Sequence, residues 1–194
     1  MSIGPGASAS ATHLPPLTLV LGGARSGKSR HAESLVEASG LARTYIATAQ
    51  ALDAEMAERI RHHRERRAGA GWTPIEAPLD QSGALAETAR PGRAVLVDCL
   101  TLWLTNVLLR AEDGGSGDVA AEIAALADRL LRLEGPVVLV ANEVGLGIVP
   151  DNALARAFRD HAGRLNQAVA AAAQRVVFVA AGLPLVLKDD ARSR

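Results

Sequence analysis

The chain has 194 residues, of which 48% are hydrophobic and 22% charged, and its formal net charge is zero. That length suits one domain with a sizeable core, and the balanced charge excludes a global basic field for nucleic acid or an anionic membrane. Cys99 is the only cysteine, which excludes an internal disulfide and fits a reducing, cytoplasmic location.

The longest apolar stretch, Val176 to Leu187, is too short for a membrane span and contains Gly182 and Pro184. Residues 1–16 are small and rich in Pro, Gly and Ser, without the layout of a secretory signal. They are expected to form a disordered leader. Residues 17–188 are expected to form a single domain, and 189–194 a polar tail.

The first strand is Leu17 to Leu21. It runs into Gly22-Gly23-Ala24-Arg25-Ser26-Gly27-Lys28-Ser29, a G-x-x-x-x-G-K-S phosphate-binding loop of the Walker A type. Glycines let backbone N–H groups face phosphate oxygens. Lys28 brings a positive charge to the β- and γ-phosphates, and the Ser29 hydroxyl offers a ligand for Mg²⁺. The helix that follows, about Lys28 to Ala38, points its positive end at the anion. Gly40 stops it, and His31 in its first turns reads as solvated or locally hydrogen-bonded.

A second strand, Arg43 to Thr48, ends in Ala47-Thr48-Ala49, where open α/β sheets bind ligands. A Thr48 hydroxyl there could touch a nucleotide. Asp53 can cap a helix to about Arg67, with Leu52, Met56 and Ile60 as its buried stripe. Its other face holds Glu55, Glu58, Arg59, Arg61, His62, Arg64, Glu65, Arg66 and Arg67, which is either a solvated face or an anion-binding patch. His63 roughly continues the apolar stripe and His62 points among the arginines. On spacing alone the pair reads as structural, and if one carries chemistry the spacing favours His62.

Trp72 to Glu76 is a short extended segment; Glu76 is either a surface carboxylate or an acceptor for ribose or base donors. A helix from about Leu79 to Ala89 leads to the strand Ala94 to Asp98, an apolar run ending in a carboxylate. This is the Walker B pattern, which places Asp98 as an Mg²⁺ ligand opposite Ser29. A helix over Thr101–Leu109 with Trp103 in the core, a loop over Ala111–Asp118 and a helix over Val119–Leu133 follow. The strand Pro136 to Ala141 opens into Asn142-Glu143-Val144-Gly145-Leu146-Gly147-Ile148-Val149-Pro150, either a pocket wall or a connection. Asp151 or Asn152 caps a helix to about Gln174, with Leu154, Phe158, His161, Leu165, Val169 and Ala172 on one face. Arg159 and Arg164 on this helix read as solvated charge. Arg175 to Ala180 is the last core strand, and Leu185 to Leu187 is a further edge strand. The alternation implies an α/β fold with a mostly parallel sheet and helices on both faces.

Several segments together resemble one family, the bifunctional adenosylcobinamide kinase / adenosylcobinamide-phosphate guanylyltransferases (the CobU/CobP type). They are Gly22 to Arg30, Tyr45 to Ala49, Arg59-Ile60-Arg61-His62-His63-Arg64 and Asp98-Cys99-Leu100-Thr101. Thr105-Asn106, Asn142 to Gly145, Gly147 to Pro150 and Arg164-Leu165-Asn166-Gln167 complete the set. The resemblance runs from about Leu17 to Lys188. It implies a RecA-like P-loop NTPase fold, three layers α/β/α, and a homotrimer. It implies two reactions: phosphorylation of adenosylcobinamide with ATP or GTP, then transfer of GMP from GTP to adenosylcobinamide phosphate with release of pyrophosphate. The second passes through a GMP–histidine intermediate on the first histidine of the pair, His62 here. Implied nucleotide contacts are Gly22 to Ser29, Ala47, Thr48, Ala49, His63, Arg64, Glu65, Arg66, Glu76 and Asp98. No Asn-Lys-x-Asp signature occurs, which argues against a guanine-nucleotide switch; a small-molecule kinase that never forms the histidine adduct is the other enzymatic reading.

Overall fold

The strands are nearly continuous apolar runs, the pattern of a parallel sheet covered on both faces. The computed structural model describes residues 13–51, 54–67, 69–115 and 117–190, without the side chains of Glu55, Met56, Arg59, His62, His63 and Arg66. Most of the expected leader, the Asp53 cap, the Leu52 and Met56 part of the apolar stripe, and residues 191–194 of the tail lie outside this description. The elements are β1 (Leu17–Gly22), α1 (Lys28–Ala38), β2 (Ala42–Ala47), α2 (Ala54–Arg67), β3 (Trp72–Glu76), α3 (Gln81–Thr88), β4 (Arg93–Asp98), α4 (Leu100–Glu112), α5 (Val119–Leu130), β5 (Val137–Asn142), α6 (Ala153–Ala172), β6 (Arg175–Ala180) and β7 (Leu183–Asp189).

They form a seven-stranded sheet in the order β3-β2-β4-β5-β1-β6-β7. Every neighbouring pair is parallel except β6 and β7. Successive side chains divide between the two faces, as strand geometry requires. Leu19, Leu21, Val95, Val97, Val137 and Leu139 face one core with Leu85, Leu104, Leu126 and Leu165 from α3 to α6. Val20, Ala94, Leu96, Val138 and Val140 face the other, against Ala32 and Val36 of α1. The architecture is therefore three layers. Pro74 and Pro184 fall in β3 and β7, the two edge strands, where a missing N–H interrupts no central ladder.

Several boundaries differ from expectation. Leu14 is buried in the α1-side core, and Val137 N donates to Pro16 O at 2.9 Å, so the folded part begins inside the expected leader. At the other end Asp189 belongs to β7, not to a tail, and its Oδ2 lies 2.9 Å from Arg175 Nη2. The helix expected to end at Leu109 continues to Glu112, and the one expected to reach Leu133 stops at Leu130. Asn152, not Asp151, caps α6: its side chain accepts from Ala155 N. The β6–β7 hairpin turns on Ala181 and Gly182, both with positive φ, 51° and 79°. Two left-handed central residues are what a tight two-residue hairpin of matching twist needs.

Candidate active site

The sheet topology collects the polar residues at one edge. Gly22 at the end of β1 is in register with Asn142 of β5. Asp98 at the end of β4 is in register with Ala47 of β2, and Ala47 with Glu76 of β3. All are carboxyl ends of parallel strands, where helix N-termini and loops create a ligand crevice.

Two glycines of the phosphate loop are required by space. A Cβ on Gly22 would come within 2.5 Å of Val179 O and of Ser26 Oγ, and Gly27 has a φ of 93°. The loop is braced from behind by the β6–β7 turn, whose Gly182 N donates to Ser26 O at 2.9 Å. The tip of that hairpin is a support that the sequence did not reveal. Lys28 is buried, and its Nζ donates to Gly23 O at 3.0 Å. Ala24 and Arg25 are exposed. Beyond the loop lies a cleft lined by Lys28, Ser29, Tyr45, Ala47, Ala49, Ile60, Arg64, Arg67, Glu76, Asp98, Cys99, Leu102 and Asn142. A second hollow adjoins it under Trp72, Pro74 and Gly69.

The expected residues thus divide. Lys28, Ser29, Ala47, Ala49, Arg64, Glu76 and Asp98 come together in the cleft. Arg64 and Glu76 form an ion pair across its mouth. Glu65 does not line it: it is exposed and lies 2.5 Å from Arg61, on the outer face of α2. Thr48 is a correction. It is fully buried, its Oγ1 donates to Cys99 O and accepts from Cys99 N, both at 2.8 Å, and its hydroxyl is not offered to a ligand. His62, His63 and Arg66 stand on α2, with side chains outside the described residues.

Arg67 is a second correction. Assigned from sequence to the solvated or anion-binding face, it is 8% exposed and its Nη2 sits 2.8 Å from Glu33 Oε1 of α1 and 3.7 Å from Asp98 Oδ2. Its Cζ lies 3.4 Å from the centroid of the Tyr45 ring, a cation–π stack. The signal was available: Arg67 follows Ile60 by two helical turns and so shares its face. Burial, with the Asp98 charge second, pushes the Tyr45 phenol well above its ordinary range, so it stays neutral.

Some buried polar atoms of the described residues have no hydrogen-bond partner. Ser26 Oγ in the loop and Asn142 Oδ1 in the cleft wall are two of them. Asn142 itself is pinned, its N donating to Thr101 Oγ1 at 2.7 Å and its O accepting from Asn166 Nδ2 at 3.3 Å. Among the described residues there is no group of three or more His, Cys, Asp or Glu side chains able to cage a metal. A single carboxylate and a single hydroxyl, Asp98 and Ser29, are the hard oxygen set expected for an Mg²⁺ that also binds phosphate oxygens and water. His31 and His161 do not line the cleft: His161 is half-buried on α6 with an unpartnered Nδ1, and burial, then Arg175, lowers the pKa of His31. Arg164 is exposed, as expected; Arg159 is half-buried, 3.8 Å from Asp160.

A parallel sheet with a G-x-x-x-x-G-K-S loop between its first strand and first helix defines a P-loop NTPase fold of the RecA-like kind. An ATPase of a type III secretion system of pathogenic bacteria shares it, with a TM-score of 0.53 at 10% identity, over 89% of this chain and 57% of that one. The chain belongs to the CobU family, described as "Cobinamide kinase / cobinamide phosphate guanyltransferase", whose model matches residues 18–187. It is thereby an enzyme of that family. It is 53% identical over 172 residues to the bifunctional adenosylcobalamin biosynthesis protein CobP of Pseudomonas aeruginosa, covering 89% of this chain and 97% of the relative. It is 44% identical over 184 residues to CobU of Escherichia coli, with 89% and 99% covered.

Proposed function

We propose that this enzyme phosphorylates adenosylcobinamide with ATP or GTP and then transfers GMP from GTP to adenosylcobinamide phosphate through a phosphoramidate on His62. The observation that carries this reading is that one cleft has the phosphate loop and Asp98 on one side and α2, through Ile60, Arg64 and Arg67, on the other. The helix bearing the histidine pair is therefore one wall of the cleft that the phosphate loop opens into, which supports this reading.

Gly22 to Ser29 cradle the phosphates, and Lys28 exchanges its Gly23 carbonyl for phosphate oxygens. Ser29 and Asp98 would hold Mg²⁺, which supplies charge neutralisation on the phosphoryl groups. In the transferase half-reaction a neutral His62 nitrogen attacks the α-phosphorus, the bond to pyrophosphate breaks, and pyrophosphate leaves. An oxygen of adenosylcobinamide phosphate then displaces the histidine nitrogen and regenerates the imidazole. Arg64 stabilises charge on the transferring group; Glu76 accepts from the nucleoside. In this reading Ala47 and Ala49 line the nucleotide, His63, Glu65 and Arg66 flank the histidine, and Thr48 supports the site from behind.

The exposed apolar side chains Leu183, Leu185 and Leu187 on β7 and Leu146 and Ile148 after β5 are surfaces that assembly would cover, in keeping with a homotrimer. Among the described residues no helix is long and apolar enough to cross a membrane, and we place the enzyme in the cytoplasm.

The test is incubation with Mg²⁺ and GTP labelled at the α- or the γ-phosphate. Acid-labile, alkali-stable protein label from the α position alone, lost in His62→Ala, is the expected outcome. Wild-type protein that retains no α-label refutes the transferase reading.

A further inference from the structure

Most described charges of α2 are solvent-facing: the Arg61 and Arg64 side chains are 54% and 62% exposed. Arg67, at the end of the helix, is buried and reaches three other elements. Its Nε and Nη2 share Glu33 Oε1 on α1, at 2.9 and 2.8 Å. Its Nη2 is 3.7 Å from Asp98 Oδ2 on β4. Its guanidinium plane covers Tyr45 on β2, whose hydroxyl donates to Asp98 O at 3.4 Å. Glu33 is itself buried, five residues beyond Lys28 on the same helix.

We propose that Arg67 is a positioning residue for the histidine step: it anchors the C-terminal end of α2 to the phosphate-loop helix and to Asp98, and so sets where His62 stands over the nucleotide. The inference rests on the function proposed above. His62 lies five residues before Arg67, about 7.5 Å along the helix axis, close enough for the anchor to govern its placement. The turn that follows, with Gly69 and Gly71 both at positive φ, 81° and 74°, is tied to the same end of the helix: Ala70 N donates to Arg67 O at 3.1 Å and Ala70 O accepts from Arg43 Nη1 at 2.9 Å. A buried guanidinium is costly to desolvate unless its partners are fixed. Here they are the two elements that hold the phosphates and the Asp98 carboxylate. In-line attack tolerates little displacement; roughly 1 Å of misplacement costs about a hundredfold in rate. Lysine would replace the charge without the planar fork or the stack on Tyr45.

The experiment compares wild type with Arg67→Met, Arg67→Lys and Glu33→Gln, the last reaching the same contact from the other side. Three quantities are read: amide hydrogen exchange of α2 in the ligand-free protein, equilibrium GTP affinity with Mg²⁺, and the rate of α-label incorporation. In Arg67→Met, α2 amides should exchange about tenfold faster while β1 and β5 amides keep wild-type protection. Label incorporation should fall by about tenfold or more, with GTP affinity within about threefold. Glu33→Gln should follow Arg67→Met, and Arg67→Lys should lie between Arg67→Met and wild type. Unchanged exchange in α2 overturns the proposal, and so does GTP affinity that falls as far as the labelling rate, which would make Arg67 a ligand contact. If Arg67→Met does not fold, the other two variants decide by the same criteria. If wild type takes up no α-label, the function reading fails alone, and exchange in the ligand-free variants still decides whether Arg67 anchors α2.

Discussion

Thr48→Val separates support of the site from contact with the nucleotide. Valine keeps the shape of threonine but removes the hydroxyl, and Thr48 is 0% exposed. Two hydrogen bonds are lost, one to each backbone group of Cys99. They are not equivalent. Cys99 O keeps a donor, Trp103 N at 3.2 Å, so that loss costs an ordinary net hydrogen bond of about 0.5–1.5 kcal/mol. Cys99 N–H is left buried with its acceptor gone, which costs about 1–3 kcal/mol. The sum is about 1.5–4.5 kcal/mol, or roughly 3–18 °C in Tm for a domain of this size. Thr48→Ser, which keeps both bonds and loses a buried methyl, should cost about 1 kcal/mol. Urea denaturation with both variants measures the difference, and isothermal titration with GTP measures binding. The expected pattern is a large stability loss in Thr48→Val with little change in GTP affinity at a temperature where it is folded. A variant as stable as wild type, or one that folds stably but binds GTP at least about tenfold more weakly, refutes the reasoning.

Two further outcomes follow from perturbed groups. Burial and Arg175 hold His31 below its ordinary pKa of 6.5, so the unfolded chain takes up this proton first. Stability should therefore be unaffected well above pH 6.5, fall as pH drops through 6.5, and level off below the folded-state pKa;. Urea midpoints at about pH 7.5 and 5.5 should show a smaller acid loss in His31→Gln than in wild type, and an equal loss refutes this. Burial, then Asp98, raises the Cys99 thiol to about 11, so it is protonated and shielded near neutrality. A disulfide reagent should modify it only on unfolding, and native protein reacting as fast as urea-unfolded protein would contradict the packing.

The amino-acid sequence alone was enough to identify the phosphate loop, the carboxylate that ends β4 and the alternation of strands and helices. These are local features: a residue type at a fixed spacing beside a run of one periodicity. It also located α2, because Ile60 and its flanking charges repeat with the helix. Tertiary structure decided which strands are neighbours. β5 enters between β1 and β4, which brings Asn142 beside the phosphate loop, although more than a hundred residues separate them. It also decided the fate of individual polar side chains. Thr48 looked like a ligand contact because it ends a strand at the crevice, yet the turn after β4 takes both functions of its hydroxyl. Arg67 looked solvated because charge counts against burial when only neighbours in sequence are considered. Its compensation comes from Glu33, Tyr45 and Asp98, three elements that meet only when the sheet is assembled, and a buried charge is stable only where such partners converge.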